Sequence, residues 1–206
     1  MKKLTLHTLS GFEGAGKTTI INHYQDNLDF FVIPETARLI MPLENNVLED
    51  SKDDLSYKSF ISYITNIHFL LSNNMTIDCI FDRNIIDSLT YLKLYAPEQK
   101  ICTQKLGDFV EEFLTKYQRD YFYDHSFLIL HPKDDDYIEK CILSDPERKY
   151  GKNVIKYKHD ALIWEEIYLS IADELKQRGL FKQLHTINAF PDNRNIITNI
   201  QSITHS

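Results

Sequence analysis

The sequence predicts an α/β protein, a parallel sheet of about five strands flanked by helices. Short apolar runs alternate with longer helical patterns along the whole chain, as a sheet covered on both faces requires. A glycine-rich stretch stands between the first strand pattern and the first helix pattern, and it holds half of the six glycines of the chain, Gly11, Gly14 and Gly16. At 206 residues, 43% hydrophobic and 26% charged, the chain suits a single domain with a sizeable core, residues 1–206.

Taken in order, strand one is Lys3–Ser10, although Thr5, His7 and Thr8 make it more polar than a buried parallel strand should be. Helix one is Lys17–Leu28. Strand two is Phe30–Ile33, ended by Pro34, with a short helix at Glu35–Met41. A polar connection, Glu44–Asp53, leads to a helix at Asp54–Ser72 in which Phe60, Ile64, Ile67 and Leu71 recur at helical spacing. Strand three is Thr76–Phe81, followed by helices at Asn84–Tyr95 and Glu98–Tyr117; strand four is Ser126–Leu130, followed by a helix at Asp135–Leu143. The segment Ser144–Tyr157 lacks periodicity and carries Arg148, Lys149, Lys152 and Lys156. A helix at Asp160–Arg178 stops at Gly179, a residue suited to the left-handed C-terminal cap. Strand five is Gln183–Asn188 and the last helix is Asp192–Ile203.

The net charge of −7 disfavours polymeric nucleic acid, whose affinity rests on Lys and Arg neutralising phosphates. Cys79, Cys102 and Cys141 are widely spaced and odd in number, which points to free thiols in a reducing cytoplasm rather than to a zinc site. The eight histidines show no ligand spacing and most are expected at the surface. Leu4–Leu9 is too short and too polar for a signal peptide, and no run approaches a membrane span.

The stretch Gly11-Phe12-Glu13-Gly14-Ala15-Gly16-Lys17-Thr18 is a complete phosphate-binding loop, continued by Thr19. Such a loop turns backbone N–H groups inward on a nucleotide's phosphates. Lys17 is expected to reach the outer phosphates and the Thr18 hydroxyl to ligate Mg²⁺. The following helix adds the positive end of its dipole.

In open parallel sheets ligands sit beyond the carboxyl ends of the strands, so those ends hold the other candidates. After strand two, Glu35 and Arg38 share a helix face. They are either a general base and an acceptor clamp, or a helix-terminal carboxylate paired with its own arginine. After strand three, Asp82 resembles the carboxylate of a Walker B strand and Arg83 can meet a phosphate. The alternative is a helix cap with an exposed ion pair. Asp87 and Tyr91 are four apart and either line an acceptor pocket or, for Tyr91, belong to the core. In the basic segment Arg148 is either a lid arginine closing on the phosphates or part of a solvated loop. Asn188-Ala189-Phe190 follows strand five, where a nucleobase is expected, and Asp134-Asp135-Asp136 is better read as a helix cap than as a metal site.

These residues resemble those of the P-loop nucleoside and nucleotide kinases. The loop from Gly11 to Thr19 is similar to that of bacterial thymidylate kinases. Pro34-Glu35-Thr36-Ala37-Arg38, then Phe81-Asp82-Arg83 with Asp87, Tyr91 and Tyr95, and the late Arg194, are more similar to an AAA-type ATP-binding branch. That branch contains the nicotinamide riboside kinase domain of the multifunctional NAD-biosynthesis proteins. The resemblance implies a P-loop NTPase fold with strand order 2-3-1-4-5 and a small basic lid at about 144–157. It implies ATP (GTP being the alternative) with Mg²⁺, and γ-phosphoryl transfer to a nucleoside, nucleotide or similar metabolite. By it Lys17, Thr18 and Asp82 handle ATP and Mg²⁺, Glu35 or Asp82 acts as base, and Arg148 serves the lid. The chain lacks the Glu-Pro-Gly-Gly stretch of thymidylate kinases and has Asp82-Arg83-Asn84 where deoxynucleoside kinases carry Glu-Arg-Ser.

The competing class is a nucleotide-binding regulatory module without a metabolite acceptor. A conventional GTPase is not indicated, because D-x-x-G after strand three and N-K-x-D are both missing. The expected partner is a small-molecule acceptor, with neither polymeric nucleic acid nor membrane, and a homodimer is compatible with the chain.

Overall fold

The structure is a computed structural model. It describes residues 5–12, 14–27, 30–35, 65–67, 70, 73, 78–95, 111–143, 153–189 and 193–204, without the side chains of 27, 92, 95, 141–143, 193–195 and 203–204. In chain order the elements are β1 (Leu6–Gly11), α1 (Lys17–Asn27), β2 (Phe30–Ile33), β3 (Asp78–Asp82), α2 (Ile85–Tyr95), β4 (Tyr123–Leu130), α3 (Asp135–Leu143), α4 (Val154–Gln177), β5 (Phe181–Asn188) and α5 (Asn193–Thr204). Residues 65–67, 70 and 111–117 are also helical.

The five strands form one sheet in the order β2-β3-β1-β4-β5. Every pairing is parallel, with Leu9 opposite Asp82 on one side of β1 and Gly11 opposite Ile129 on the other. Helices cover both faces. One core holds Leu6, Phe81 and Leu128 with Tyr157, Trp164 and Tyr168 of α4. The other holds Leu9, Phe127 and Ile187 with Ile20 and Tyr24 of α1 and Ile196 of α5.

The polarity of β1 has a structural cause: its six residues are all buried, and neighbouring elements partner the hydroxyls of Thr8 and Ser10. Thr8 Oγ1 accepts from Asn84 Nδ2 at 2.7 Å, and Ser10 Oγ donates to Asp87 Oδ2 at 2.8 Å. His7 stacks with His125 at a centroid distance of 5.1 Å and meets Phe30 edge-on. A strand between two others can hold polar groups where the flanking elements satisfy them.

Element boundaries differ from the sequence expectation most at α4, and by three residues or fewer at the other described elements, β4 and β5 among them. The expected lid, Ser144–Tyr157, overlaps α4, which begins at Val154 rather than Asp160. The reason is a cap: Asn153 Oδ1 accepts from Lys156 N at 3.0 Å, and Tyr157 then enters the buried stripe with Ala161, Trp164 and Tyr168. Strand β4 begins three residues before Ser126, because Tyr123 pairs with Phe181 and so extends β5 as well. The expected helices at Glu35–Met41, Asp54–Ser72 and Glu98–Tyr117 lie wholly or largely outside the described residues, as does the polar connection at Glu44–Asp53. The stop of α4 is as expected: Gly179 has φ +75°, and Leu180 N reaches back to Leu175 O at 3.0 Å.

Candidate functional site

The glycine-rich loop joins β1 to α1 at the carboxyl edge of the sheet. Gly11, Gly14 and Gly16 all have positive φ, at 143°, 80° and 85°. At Gly11 a β-carbon would lie 2.1 Å from the Ile129 carbonyl oxygen, so the β1–β4 seam closes only around glycine. The turn is fastened by Ala15 N donating to Phe12 O at 3.3 Å. Phe12 is buried against Tyr157 and Trp164 of α4.

Lys17 is 6% exposed and donates from Nζ to the carbonyls of Gly11 at 2.6 Å and Phe12 at 2.9 Å. Burial, then the neighbouring Arg83 charge, lowers its pKa to about 8, against the pull of Asp87, Asp82 and Glu35. Thr18 and Thr19, one step into α1, are exposed, and Gly14 and Gly16 are half-exposed. The loop therefore buries its cation, while the first two threonines of α1 stay exposed.

Asp82 ends β3 beside Leu9 of β1. Burial raises its pKa; Lys17 and Arg83 oppose the shift, and Glu35 and Asp87 add to it. Arg83 follows in a left-handed conformation, φ 68°, which a long side chain adopts only under restraint. Its restraints are two buried carboxylates: Nε lies 2.5 Å from Glu35 Oε1, and Nη1 lies 3.5 Å from Asp87 Oδ1. Burial would lower its pKa, but Tyr91, Glu35, Asp87 and Tyr168 together push it well above the usual value. The alternative of an exposed Asp82-Arg83 pair is therefore not what the fold adopts.

Asp87 is 2% exposed and saturated with donors. Its Oδ2 accepts from Ser10 Oγ at 2.8 Å and from Asn84 N at 2.9 Å. Its Oδ1 accepts from Tyr168 Oη at 2.8 Å and faces Gly11 N at 3.4 Å. Tyr91 packs edge-on against Trp164 at 4.6 Å between centroids.

Lys17, Glu35, Asp82, Arg83 and Asp87 thus form one electrostatic cluster at the strand ends. Glu13, Arg38 and Arg148 lie outside the described residues, as do the side chains of Tyr95 and Arg194. Ser10, Asn84 and Tyr168 belong to the cluster without having been assigned from the sequence. Ser10 and Asn84 carried a signal, since they are polar residues at the ends of strands. Tyr168 carried none, because it falls on the apolar stripe of α4.

Beyond the cluster, His131 follows β4 and bonds to Glu165 of α4, which Lys133 also reaches at 2.9 Å. His7 and His131 are buried and His125 and His185 half-buried, so the expectation of surface histidines fails for these. Asp134 caps α3, with Oδ1 accepting from Tyr137 N at 2.7 Å. Among the described residues no cluster of His, Cys, Asp and Glu is built to hold a metal by itself. Thr18 and Asp82 offer one hydroxyl and one carboxylate, an all-oxygen set that fits Mg²⁺ brought in with phosphate oxygens. Cys79 is a buried thiol outside any disulfide, and burial pushes its pKa up to about 12. Among the described residues no helix is long and apolar enough to cross a membrane.

A family model for an AAA domain, AAA_28, matches residues 6–167. No curated protein matches the sequence. Among solved structures, deoxyadenosine kinase from M. mycoides with bound dATP is similar at 15% identity and a TM-score of 0.55, covering 98% of this chain and 100% of that one. NadR protein in complex with NR is similar at 18% identity and a TM-score of 0.58, over 98% of this chain and 52% of NadR. The chain therefore spans about half of NadR. YorR protein from Bacillus subtilis, in complex with phosphorylated GDP, is similar at 17% identity and a TM-score of 0.52, over 98% and 96%. At these identities the likeness shows the fold, a kinase-like P-loop fold.

Proposed function

This chain belongs to the AAA domain family AAA_28, and on that premise we propose that it is an ATP-dependent phosphotransferase. The reaction moves the γ-phosphoryl group of Mg-ATP, or of GTP, to a small nucleoside, nucleotide or nucleoside-like metabolite. One observation carries the reading: the phosphate loop does not stand alone, but shares its electrostatic environment with Arg83, Glu35 and Asp82. A buried arginine and carboxylates within electrostatic reach of the phosphate lysine suit an acceptor site better than a module that only holds a nucleotide. The neighbours of similar fold, named above for their binding of dATP, NR or phosphorylated GDP, support the class of ligand.

In this reading the amides of residues 13–19 and the Lys17 ammonium bind the β- and γ-phosphates. Thr18 and Asp82 would hold Mg²⁺, which supplies neutralisation of phosphate charge. Glu35 or Asp82 takes the proton of the acceptor hydroxyl as its oxygen bonds to phosphorus, while the bond to the β,γ-bridging oxygen breaks and ADP leaves. Arg83, with Arg38 and Tyr91, orients the acceptor, and Asp87 backs Arg83. Arg148 closes from the basic segment, where charge develops on the transferred group. The reading takes residues 1–206 as one kinase-like domain acting in the cytoplasm, alone or as a homodimer, on neither polymeric nucleic acid nor membrane.

The test offers Mg-ATP with adenosine, deoxyadenosine, thymidine, nicotinamide riboside and their monophosphates, and measures ADP and phosphorylated product by mass spectrometry. At least one acceptor gains 80 Da as about one equivalent of ADP forms. ADP release that no acceptor stimulates, with no product, would instead indicate the regulatory module. Glu35→Gln and Asp82→Asn then identify the base: its loss slows transfer by about 10²–10⁴-fold.

A further inference from the structure

We infer that Tyr168 is a positioning residue for the phosphotransfer site: its hydroxyl, seated on one oxygen of Asp87, leaves Arg83 directed at Glu35. The inference rests on the reading of the site given above. It concerns a residue of α4, far along the chain from the glycine-rich loop and from both carboxylates.

The two oxygens of Asp87 have different neighbours. Oδ2 is fixed by the end of β1 and the start of α2, through Ser10 Oγ at 2.8 Å and Asn84 N at 2.9 Å. Oδ1 is shared. Tyr168 Oη approaches it at 2.8 Å, while Gly11 N stands at 3.4 Å and Arg83 Nη1 at 3.5 Å. A phenol has one proton to give. Gly11 O lies 3.4 Å from the same hydroxyl, so the shorter contact to the charged oxygen takes that proton. The ring is 2% exposed, and burial, then the Asp87 charge, raises the pKa of its hydroxyl, which keeps it a donor.

With Oδ1 served by Tyr168, the guanidinium is left at long range from Asp87 and close to Glu35, at 2.5 Å. Remove the hydroxyl, and a buried carboxylate oxygen loses its shortest donor. In a poorly solvated site an under-served anion draws the nearest cation strongly. Arg83 is that cation. It closes on Asp87, and its hold on Glu35 loosens. Nucleotide affinity is set elsewhere, by the amides and by Lys17, whose Nζ bonds go to Gly11 O and Phe12 O and not to Asp87. Tyr168 therefore acts on turnover more than on nucleotide binding.

Tyr168→Phe deletes only the hydroxyl and keeps the ring packed beside Trp164. Two measurements are made on the full chain. Turnover with the acceptor panel falls at least tenfold, while the Kd for Mg-ATP by calorimetry changes less than twofold. In the Mg-ATP complex, NMR shows exchange of the Arg83 guanidinium protons with water accelerated at least tenfold. A variant with a lower melting temperature but unchanged turnover and unchanged Arg83 exchange overturns the inference and leaves Tyr168 a core residue. A parallel loss of Mg-ATP affinity also overturns it. Should the wild-type chain phosphorylate no member of the panel, the phosphotransfer reading fails, and the Arg83 exchange rate alone then decides the role of Tyr168.

Discussion

Arg83 Nε lies 2.5 Å from Glu35 Oε1, and the pair ties the residues after β2 to the turn after β3. Both side chains are buried, at 8% and 10% exposure, so the ions have given up most of their hydration. Their attraction offsets that loss only while both partners are present. The same pair restrains the left-handed backbone of Arg83. Arg83→Ala leaves Glu35 and Asp87 as neighbouring buried carboxylates and lowers stability by about 3–5 kcal/mol. Arg83→Lys keeps the charge but not the planar fork, and is expected to recover stability better than phosphoryl transfer. Urea unfolding and the acceptor assay separate the two effects. Equal recovery of both by lysine would mean that the guanidinium shape is irrelevant.

Gly11→Ala tests the seam between β1 and β4. The added carbon meets the Ile129 carbonyl oxygen at 2.1 Å, and φ +143° is strained for alanine. Backbone has to move on one strand or the other, at a cost of about 3 kcal/mol or more. Because Lys17 bonds to Gly11 O, the shift reaches the phosphate site, and Mg-ATP affinity falls together with the urea midpoint. An unchanged midpoint would show that the seam yields without cost.

Lys17 gives the site a pH limit. Its pKa is held at about 8 in the ligand-free chain, by burial first and by the Arg83 charge second. Phosphates arriving beside the ammonium raise it again. Below about pH 8 the lysine is already protonated and affinity for Mg-ATP is flat. Above about pH 8 binding has to take up a proton, and affinity falls toward tenfold per pH unit. Calorimetry in two buffers of different ionisation heat reads the uptake directly. No uptake at pH 9 would mean that the lysine keeps an ordinary pKa.

The sheet, its strand order and the loop were legible because they rest on local signals: glycine spacing, apolar runs and the punctuation of Pro34 and Gly179. Asp82 and Arg83 were legible from position, one step beyond a strand. What stayed hidden was pairing across the chain. Nothing near Asp87 shows that its donors include Ser10 and Tyr168, which are 77 and 81 residues away. The polar residues of β1 misled for the same reason. Their partners Asn84, Asp87 and His125 come from other elements: the parallel register sets His125 opposite His7, and the turn after β3 leads into Asn84 and Asp87. The early start of α4 was hidden by the charges on residues 155–160, which mask a single buried residue, Tyr157.

The imidazoles of His7, His125 and His185 stack across β1, β4 and β5, with centroids 5.1 and 5.3 Å apart. His7 is 2% exposed, and its Nδ1 has no hydrogen-bond partner among the described residues. Burial, then the His125 charge, lowers its pKa from 6.5 to about 3, with Asp78 opposing and His185 adding. His125 and His185 shift the same way through burial; for His125, His185 and Lys182 add to it while Asp124 opposes. With the folded value below the unfolded one, the unfolded chain takes up the proton first. The stability tied to neutral His7 is therefore complete above about pH 6.5 and drains away as pH falls toward about 3. The slope for this one group approaches about 1.4 kcal/mol per pH unit between those limits. His7→Phe keeps an aromatic ring between Phe30 and His125, removes the titrating group and removes an unsatisfied buried nitrogen. Urea midpoints between pH 7.5 and 4.5 then fall less steeply than those of the wild-type chain, with no loss at pH 7.5. Parallel slopes in the two proteins would show that the acid sensitivity lies in groups other than His7.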